Sequence, residues 1–226
     1  MTSTPEARDP ARDGLTVPIA ATEPGYRLAK RGFDLVAVSA GLVIAVPIML
    51  GIAAAIRLES AGPVLFRQQR LGLGGRPFTV FKFRSMHLTA DEAEHRAHVG
   101  RLLGRDESGT WLPIEGDARV TSVGRFLRRS HLDELPQMIN IVRGEMSLVG
   151  PRPPIPYEVE LYEPWHLRRL SVVPGLTGLW QSVGWGRLSF DEGVALDLEY
   201  IERRSFGLDL RILLRTIWQI VTARQF

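Results

Sequence analysis

Leu35-Val-Ala-Val-Ser-Ala-Gly-Leu-Val-Ile-Ala-Val-Pro-Ile-Met-Leu-Gly-Ile-Ala-Ala-Ala-Ile56 is a run of 22 residues without a charged side chain. As one straight helix it would be about 33 Å long, enough to cross the hydrocarbon core of a bilayer. Its flanks argue against crossing. Arg27, Lys30 and Arg31 precede it, and Arg57, Arg67, Arg70, Arg76, Lys82 and Arg84 follow it. Basic residues stay on the cytoplasmic side, and here both ends carry them. Pro47, at the centre, removes a helix hydrogen bond and crowds the preceding turn. A helix that enters, breaks at Pro47 and leaves on the same side satisfies both flanks, provided that protein covers the freed backbone groups. Length alone also admits a spanning helix. A signal peptide cut near Ala53 to Ala55 and a buried core helix complete the alternatives.

The whole chain has 226 residues, room for one domain and accessory segments. Apolar residues make up 45 %, too few for a many-helix membrane protein. With no cysteine, disulfides, thiolate metal sites and a Cys nucleophile are excluded. Net charge is +3, and the basic residues are almost all Arg, with Lys30 and Lys82 the only lysines. Arg suits planar, bidentate binding of phosphate. A basic chain could also serve nucleic acid, but no zinc, RNP or recognition-helix pattern is present, so no nucleic-acid partner is expected.

Residues 1–25, rich in Pro, Thr, Asp, Glu and Arg, read as a disordered tail. After the apolar segment, Pro63 to Gln68 and Pro77 to Arg84 read as two strands joined by a Gly-rich turn. The two-residue period puts Lys82 and Arg84 on one face, either as a pair of functional cations or as a solvated edge. Thr89 to Leu103 reads as a capped, charged helix with Glu92 closing the capping box. Its His95 and His98 are surface residues with no carboxylate spacing to complete a metal site. Gly104 to Gly116 is a loop, and Val123 to Arg129 starts a short basic helix. Tyr157 to Ser171 is a helix divided at Pro164, Pro174 to Gln181 a rigid loop, and Ser189 to Arg203 a helix. Leu208 to Val221 is amphipathic, fit either for core packing or for lying in a membrane surface with Trp218 at headgroup depth.

The chemistry concentrates in Leu132-Asp-Glu-Leu-Pro-Gln137 and Met146-Ser-Leu-Val-Gly-Pro-Arg-Pro153. Adjacent carboxylates, Asp133 and Glu134, can act as nucleophile, base or metal ligand. Arg152 between prolines is a fixed fork for phosphate oxygens. The plain reading of Asp133 is an N-cap on a helix from Asp133 to Val142, with Pro136 in the first turn and Gly144 past its end. The two readings are compatible, since a helix N-terminus favours anions.

Six motifs occur in one order: Lys30-Arg-Gly-Phe-Asp34, Phe81-Lys-Phe-Arg-Ser-Met86, Arg119-Val-Thr-Ser-Val-Gly-Arg-Phe-Leu-Arg128, Leu132-Asp-Glu-Leu-Pro-Gln137, Gly144-Glu-Met-Ser-Leu-Val-Gly-Pro-Arg-Pro153 and Pro174-Gly-Leu-Thr-Gly178. Together they resemble the bacterial sugar transferase family, the small monotopic polyprenyl-phosphate phosphoglycosyl transferases, from about Tyr26 to the C-terminus. The resemblance implies an α+β fold: a mainly helical catalytic domain with a small β-hairpin and an N-terminal re-entrant, helix-break-helix membrane segment. Residues 28–57 would form that segment and 58–226 the cytoplasmic catalytic part, at the bacterial inner membrane. It implies transfer of a sugar 1-phosphate from a UDP-sugar to undecaprenyl phosphate with release of UMP, at the start of exopolysaccharide, capsule, O-antigen or glycoconjugate synthesis. It implies Mg²⁺, with Asp133 as nucleophile and metal contact and Glu134 as its catalytic neighbour. Lys82, Arg128 and Arg152 match its phosphate-handling cations, and Arg84 is grouped with them by its position beside Lys82. Downstream glycosyltransferases would be partners. One departure is Val46 before Pro47, where the family often has Ser, whose hydroxyl could satisfy a freed carbonyl. The larger members' extra N-terminal membrane helices are not found, so the minimal form is expected. Rival readings are a Mg²⁺-dependent membrane phosphohydrolase and a non-catalytic scaffold for polysaccharide assembly.

Overall fold

The computed structural model describes residues 15–87, 117, 119–184 and 188–222. The helix expected over Thr89 to Leu103, with Glu92, His95 and His98, and the loop Gly104 to Gly116 lie outside these residues. The order of elements is α1 (Pro24–Glu59), β1 (Leu65–Leu71), β2 (Pro77–Phe83), α2 (Ser122–Ser130), a 3-10 turn (Leu132–Gln137), α3 (Met138–Arg143), β3 (Ser147–Val149), α4 (Pro156–Val159), a 3-10 turn (His166–Ser171), β4 (Gly175–Thr177), α5 (Leu179–Gly184), α6 (Phe190–Arg203) and α7 (Phe206–Thr222). The expected class, mainly helical with a small hairpin, is the observed one. β1 and β2 pair antiparallel, with Phe66 opposite Lys82.

α1 is helical without interruption from Pro24 to Glu59, with Pro47 inside it. The expected break at Pro47 is therefore not seen. A proline inside a helix removes one hydrogen bond, which allows a bend without ending the helix. At about 1.5 Å per residue α1 is roughly 54 Å long. Its inner stripe follows helical spacing: Val38, Ala45, Ile52 and Ile56 are buried. Val38 packs with Val80, Ile141 and Met146. Ile52 and Ile56 pack with Phe83 and Leu127. The opposite face exposes Val36, Val43, Ile44, Val46, Ile48 and Leu50. Such an amount of uncovered apolar surface on one helix marks an interaction with membrane or partner.

Polar side chains fasten both ends of α1 to the same body. Lys30 Nζ and Tyr26 Oη donate to Asp209 Oδ2 of α7 at 2.8 and 2.9 Å. Arg31 donates to the carbonyls of Ile141 and Val142 at the end of α3, where cations satisfy terminal carbonyls. Asp34 accepts from Leu148 N at 3.2 Å. At the other end Glu59 accepts from Ser122 N and Val123 N, the first amides of α2. The Lys-Arg-Gly-Phe-Asp motif is thus an anchor in which each charged side chain has a partner.

Three expectations change. Leu15 to Glu23, assigned by composition to the tail, packs along the domain: Val17 joins Leu71, Val159 and Leu170, and Ala20 N donates to Ser171 O. Tyr157 to Ser171 is not one divided helix but α4 and a 3-10 turn flanking Pro164. The loop at Pro174 contains β4, which pairs in parallel with β3, Ser147 facing Gly175 and Val149 facing Thr177. A Cβ on Gly175 would lie 2.0 Å from Gly150 N, so this close approach excludes any side chain at that position.

Both halves of α1 pack on one body, so both of its ends should lie on one side of the membrane. Leu28 and Leu58 are exposed at its two ends, and the chain has no cysteine of its own. Leu28→Cys and Leu58→Cys in sealed inner-membrane vesicles should react with an impermeant maleimide to the same extent. Labelling of one from each side would refute the arrangement.

Candidate active site

The turn that carries the dyad begins where α2 ends. Thr121 caps α2, accepting from Gly124 N at 2.9 Å. His131 ends α2 in the left-handed region, φ 54°, the one positive-φ non-glycine among the described residues. That conformation is uncommon outside glycine, with His among the more tolerant residues. It turns the chain straight into Leu132–Gln137, and Glu134 N donates back to His131 O. α3 starts only at Met138 and ends, as expected, at Gly144 in the left-handed region.

Asp133 is therefore not the N-cap of a helix. The cap position belongs to His131, and no side chain caps that turn. The six-residue 3-10 turn replaces the expected helix start, because the bend at His131 leaves no extended residue in front of Asp133. Among the described residues the Asp133 carboxylate accepts no hydrogen bond. Glu134, in contrast, accepts from Lys82 Nζ at 2.6 Å, a half-buried pair. Burial pushes the Asp133 carboxyl up, against the pull of Lys82 and reinforced by the Glu134 charge. For Glu134 burial works in the same direction, but the Lys82 charge and hydrogen bond prevail and hold it below the usual carboxylate range. The dyad thus contains one carboxylate with a fixed counter-ion and one without.

The turn is docked on β2 by Asn140, which is 0 % exposed. Its Oδ1 accepts from Phe81 N at 3.3 Å, and its Nδ2 donates to Thr79 O at 2.6 Å. One side-chain amide therefore binds β2 as a neighbouring strand would. The same Nδ2 donates to Glu145 Oε2.

Three of the four expected cations reach the dyad. Besides Lys82, Arg128 donates through Nε to Ser85 Oγ at 3.0 Å. Burial lowers its pKa while the Asp133 charge pulls it back up. Arg152 donates to Glu158 Oε2 at 3.3 Å, and its charge helps hold Glu134 ionised. Glu158 is fully buried and also accepts from Ile155 N at 3.0 Å. Burial opposes its ionisation, and Arg152 and Arg70 more than compensate. Arg70 is fixed by Pro153 O and Gln68 Oε1, and burial with the neighbouring Arg152 charge brings it down to about 10.

Arg84 makes its contacts away from the dyad. β2 ends at Phe83, and Arg84 N still donates to Val64 O across the hairpin. Its guanidinium donates to Ala61 O, Ser60 O and Ser60 Oγ, beyond the end of α1. It is buried there and holds the helix rather than the dyad. His131, Ser85, Asn140 and Glu158 were not legible as site residues. Asn140 and Ser85 lie within or next to the motifs, but nothing in spacing tells a docking amide from a solvated one.

This arrangement pairs a free carboxylate with a cage of fixed cations beside a long apolar helix. The bacterial sugar transferase profile matches residues 25–223. The chain belongs to the bacterial sugar transferase family. It is 39 % identical over 204 residues to the exopolysaccharide production protein ExoY of Rhizobium meliloti, covering 90 % of each chain. It is 41 % identical over 203 residues to a UDP-glucose:undecaprenyl-phosphate glucose-1-phosphate transferase of Caulobacter vibrioides, covering 86 % of this chain and 70 % of that one. It is 40 % identical over 193 residues to the galactosyl transferase CpsE of Streptococcus agalactiae, covering 85 % of this chain and 42 % of that one. Family membership accounts for the six ordered motifs. In this member they serve more than one end: the Lys30 motif and Arg84 secure α1, Lys82, Ser85, Arg128 and Arg152 surround the dyad, and the Pro174 motif supplies β4 beside β3.

Asn140→Asp should separate docking from chemistry. It replaces a donor by an acceptor facing Thr79 O and Glu145, and should cost about 1–3 kcal/mol in a thermal or denaturant melt. Asp133→Asn loses no hydrogen bond among the described residues and should stay within about 0.5 kcal/mol of the parent. A large loss of stability in Asp133→Asn would mean that the carboxylate supports the fold.

Proposed function

We propose that this protein transfers a sugar 1-phosphate from a UDP-sugar to undecaprenyl phosphate at the cytoplasmic face of the inner membrane, with Asp133 as nucleophile. The observation that carries the reading is the half-buried Asp133 carboxylate, which accepts no hydrogen bond among the described residues, next to the Lys82–Glu134 pair and the fixed cations Arg128 and Arg152. A carboxylate without hydrogen bonds is the better nucleophile of the two, and carboxylates form phosphoryl intermediates. The Caulobacter and streptococcal relatives are named for different sugars, glucose and galactose, so the sugar is left open here.

The steps balance as a double displacement. An Asp133 oxygen attacks the β-phosphorus of the UDP-sugar. The bond to the oxygen bridging the α-phosphate breaks, and UMP leaves with that oxygen. The sugar phosphate is then an acyl phosphate on Asp133. An oxygen of undecaprenyl phosphate attacks the same phosphorus, the Asp133 carboxylate leaves, and the lipid diphosphate sugar forms. Phosphoryl transfer requires chiefly positioning and charge neutralisation. Arg152, locked by Glu158, and Arg128, held by Ser85, would bind the diphosphate oxygens. Lys82 would keep Glu134 ionised, away from the reacting phosphorus charge.

Mg²⁺ is commonly bound through one or two carboxylates together with substrate phosphates. Asp133 is the carboxylate open to it. When bound, Mg²⁺ would neutralise developing charge on the diphosphate. We assign α1 to a monotopic role: it dips into the bilayer from one face, its apolar side in lipid and its inner stripe on the domain. α7, with Leu214, Ile217, Trp218 and Val221 exposed, would lie in the same surface.

Asp133→Asn should abolish UMP release. With parent protein, UDP-sugar and Mg²⁺ but no lipid, a stoichiometric burst of UMP should accompany a phosphosugar mass on the Asp133 peptide. A UMP release that strictly requires lipid, with no adduct, would replace this scheme by direct transfer. Sustained release without lipid would favour hydrolysis.

Arg152→Lys keeps the charge but not the bidentate fork. It should lower kcat/KM by about 100-fold or more, on the scale of lost transition-state donors, with folding and membrane association retained. Activity near that of the parent would assign Arg152 to the fold alone.

A further inference from the structure

Behind the Pro-Arg-Pro clamp lies a buried charge pair that the reaction scheme leaves unused. Arg169, in the 3-10 turn His166–Ser171, donates through Nη2 to Asp197 Oδ2 of α6, and both side chains are only 1 % exposed. Nη1 of the same guanidinium donates to Tyr162 Oη at 3.1 Å. Helical spacing brings Asp197 inward, on a stripe with Phe190, Gly193, Val194, Tyr200 and Ile201. Gly193 lies one turn before Asp197. A Cβ there would sit 2.8 Å from the Trp180 indole, so α6 reaches α5 closely enough to carry Asp197 into the core.

Both members face Arg152. The Asp197 carboxylate takes a backbone hydrogen bond from Arg152 and feels its charge. Arg169 adds to the charges that keep Glu158 ionised, and Glu158 Oε2 accepts from Arg152 at 3.3 Å. The clamp reads Pro151-Arg-Pro-Pro154. Proline has no N–H, so the Arg152 amide is the one backbone donor in these four residues, and Asp197 takes it. Arg152 is thereby held twice, by Glu158 at the side chain and by Asp197 at the backbone.

Charge balance points the same way. Arg70, Arg152 and Arg169 meet two carboxylates, Glu158 and Asp197, which leaves one positive charge unmatched within the set. Arg152 is the least buried of the five, with 18 % of its side chain exposed. The surplus therefore faces outward at the one guanidinium that can reach an anion. A buried ion pair contributes little stability beyond that of apolar residues of the same size, so stability alone does not account for this one.

We propose that the Arg169–Asp197 pair is a positioning device for Arg152, fixing the backbone of the clamp from behind so that the guanidinium fork is in place before the diphosphate arrives. The proposal rests on the phosphate role given to Arg152 above. The pair touches no reacting atom, and its effect passes through Arg152.

Arg169→Met combined with Asp197→Leu removes both charges at once, the replacement that buried ion pairs tolerate best. The double variant should melt near the parent. By hydrogen exchange resolved to single amides, its Arg152 amide should exchange about tenfold faster or more. The Gly150 amide, bound to Thr177 O at 2.9 Å, should keep its rate and so report that the fold is intact. In the parent background the double variant should lower kcat/KM for the UDP-sugar about tenfold, as misplaced groups do. With Arg152→Lys already present, it should cost less than about threefold, because no fork is left to position. Arg152 exchange like that of the parent, equal acceleration at Gly150 and Arg152, or an equal loss of turnover in both backgrounds would overturn the proposal. Should the double variant not fold, Tyr162→Phe removes one partner of Arg169 and no charge. It should speed Arg152 exchange about threefold with Gly150 unchanged, and no change at Arg152 would overturn the proposal equally. The exchange measurement needs no substrate. A parent that transfers no sugar phosphate would refute the reaction assigned above, and the exchange rates would still decide the positioning.

Discussion

β2 has one strand partner among the described residues, and its other edge must still be satisfied, because buried backbone donors and acceptors left unpaired are costly. Asn140 meets that constraint with a single side chain, accepting from Phe81 N and donating to Thr79 O. The rest of the site follows from this docking. Once α3 is fixed to the edge of β2, the turn ahead of it lies over the strand, and Lys82, one residue beyond Phe81, meets Glu134 at 2.6 Å. A two-stranded hairpin is marginal by itself. Here its second neighbour is the turn that carries Asp133 and Glu134, so the stability of the sheet and the placement of the carboxylates are one problem.

The electrostatic design separates two adjacent carboxylates by their neighbours. Glu134 is tied to Lys82, whereas Asp133 accepts no hydrogen bond among the described residues and is pushed up by burial and by the Glu134 charge. The cations around them are not loose surface arginines. Arg152 is held by fully buried Glu158, and Arg70 is held by Pro153 O on the clamp itself. Removing one member of such a buried set leaves an unpaired charge, which costs far more than the pair contributes. The arrangement therefore favours a rigid, preorganised site over a stable one, as charge stabilisation in phosphoryl transfer requires.

α1 has two different faces. Its inner stripe packs on the domain from Val38 to Ile56 while its outer face stays apolar and uncovered. Anchors at both ends, Lys30 to Asp209 and Glu59 to the first amides of α2, keep it along the body. The helix is thus a wall of the domain with an uncovered apolar face, and Ile52 and Ile56 on its inner stripe pack with Leu132 and Leu135, the neighbours of the dyad.

Much of this was legible in the sequence. The uncharged run from Leu35 to Ile56, the hairpin signals, the glycine after α3 and the helix from Ser189 to Arg203 all follow from local rules of period, turn chemistry and capping. Local rules failed where a distant surface decided the outcome. Leu15 to Glu23 is ordered because Leu71 and Leu170 wait for Val17. α1 stays helical through Pro47 because packing on both sides outweighs one lost hydrogen bond. Arg84 is kept from the dyad because the carbonyls of Ser60 and Ala61 take its guanidinium. Asp133 is freed from capping because His131 takes a left-handed turn that no spacing announces. The sequence by itself determined which residue types and which apolar periods were available. Only the tertiary structure decided which carboxylate keeps a partner and which is left open, because that depends on contacts between segments more than fifty residues apart, such as Lys82 with Glu134.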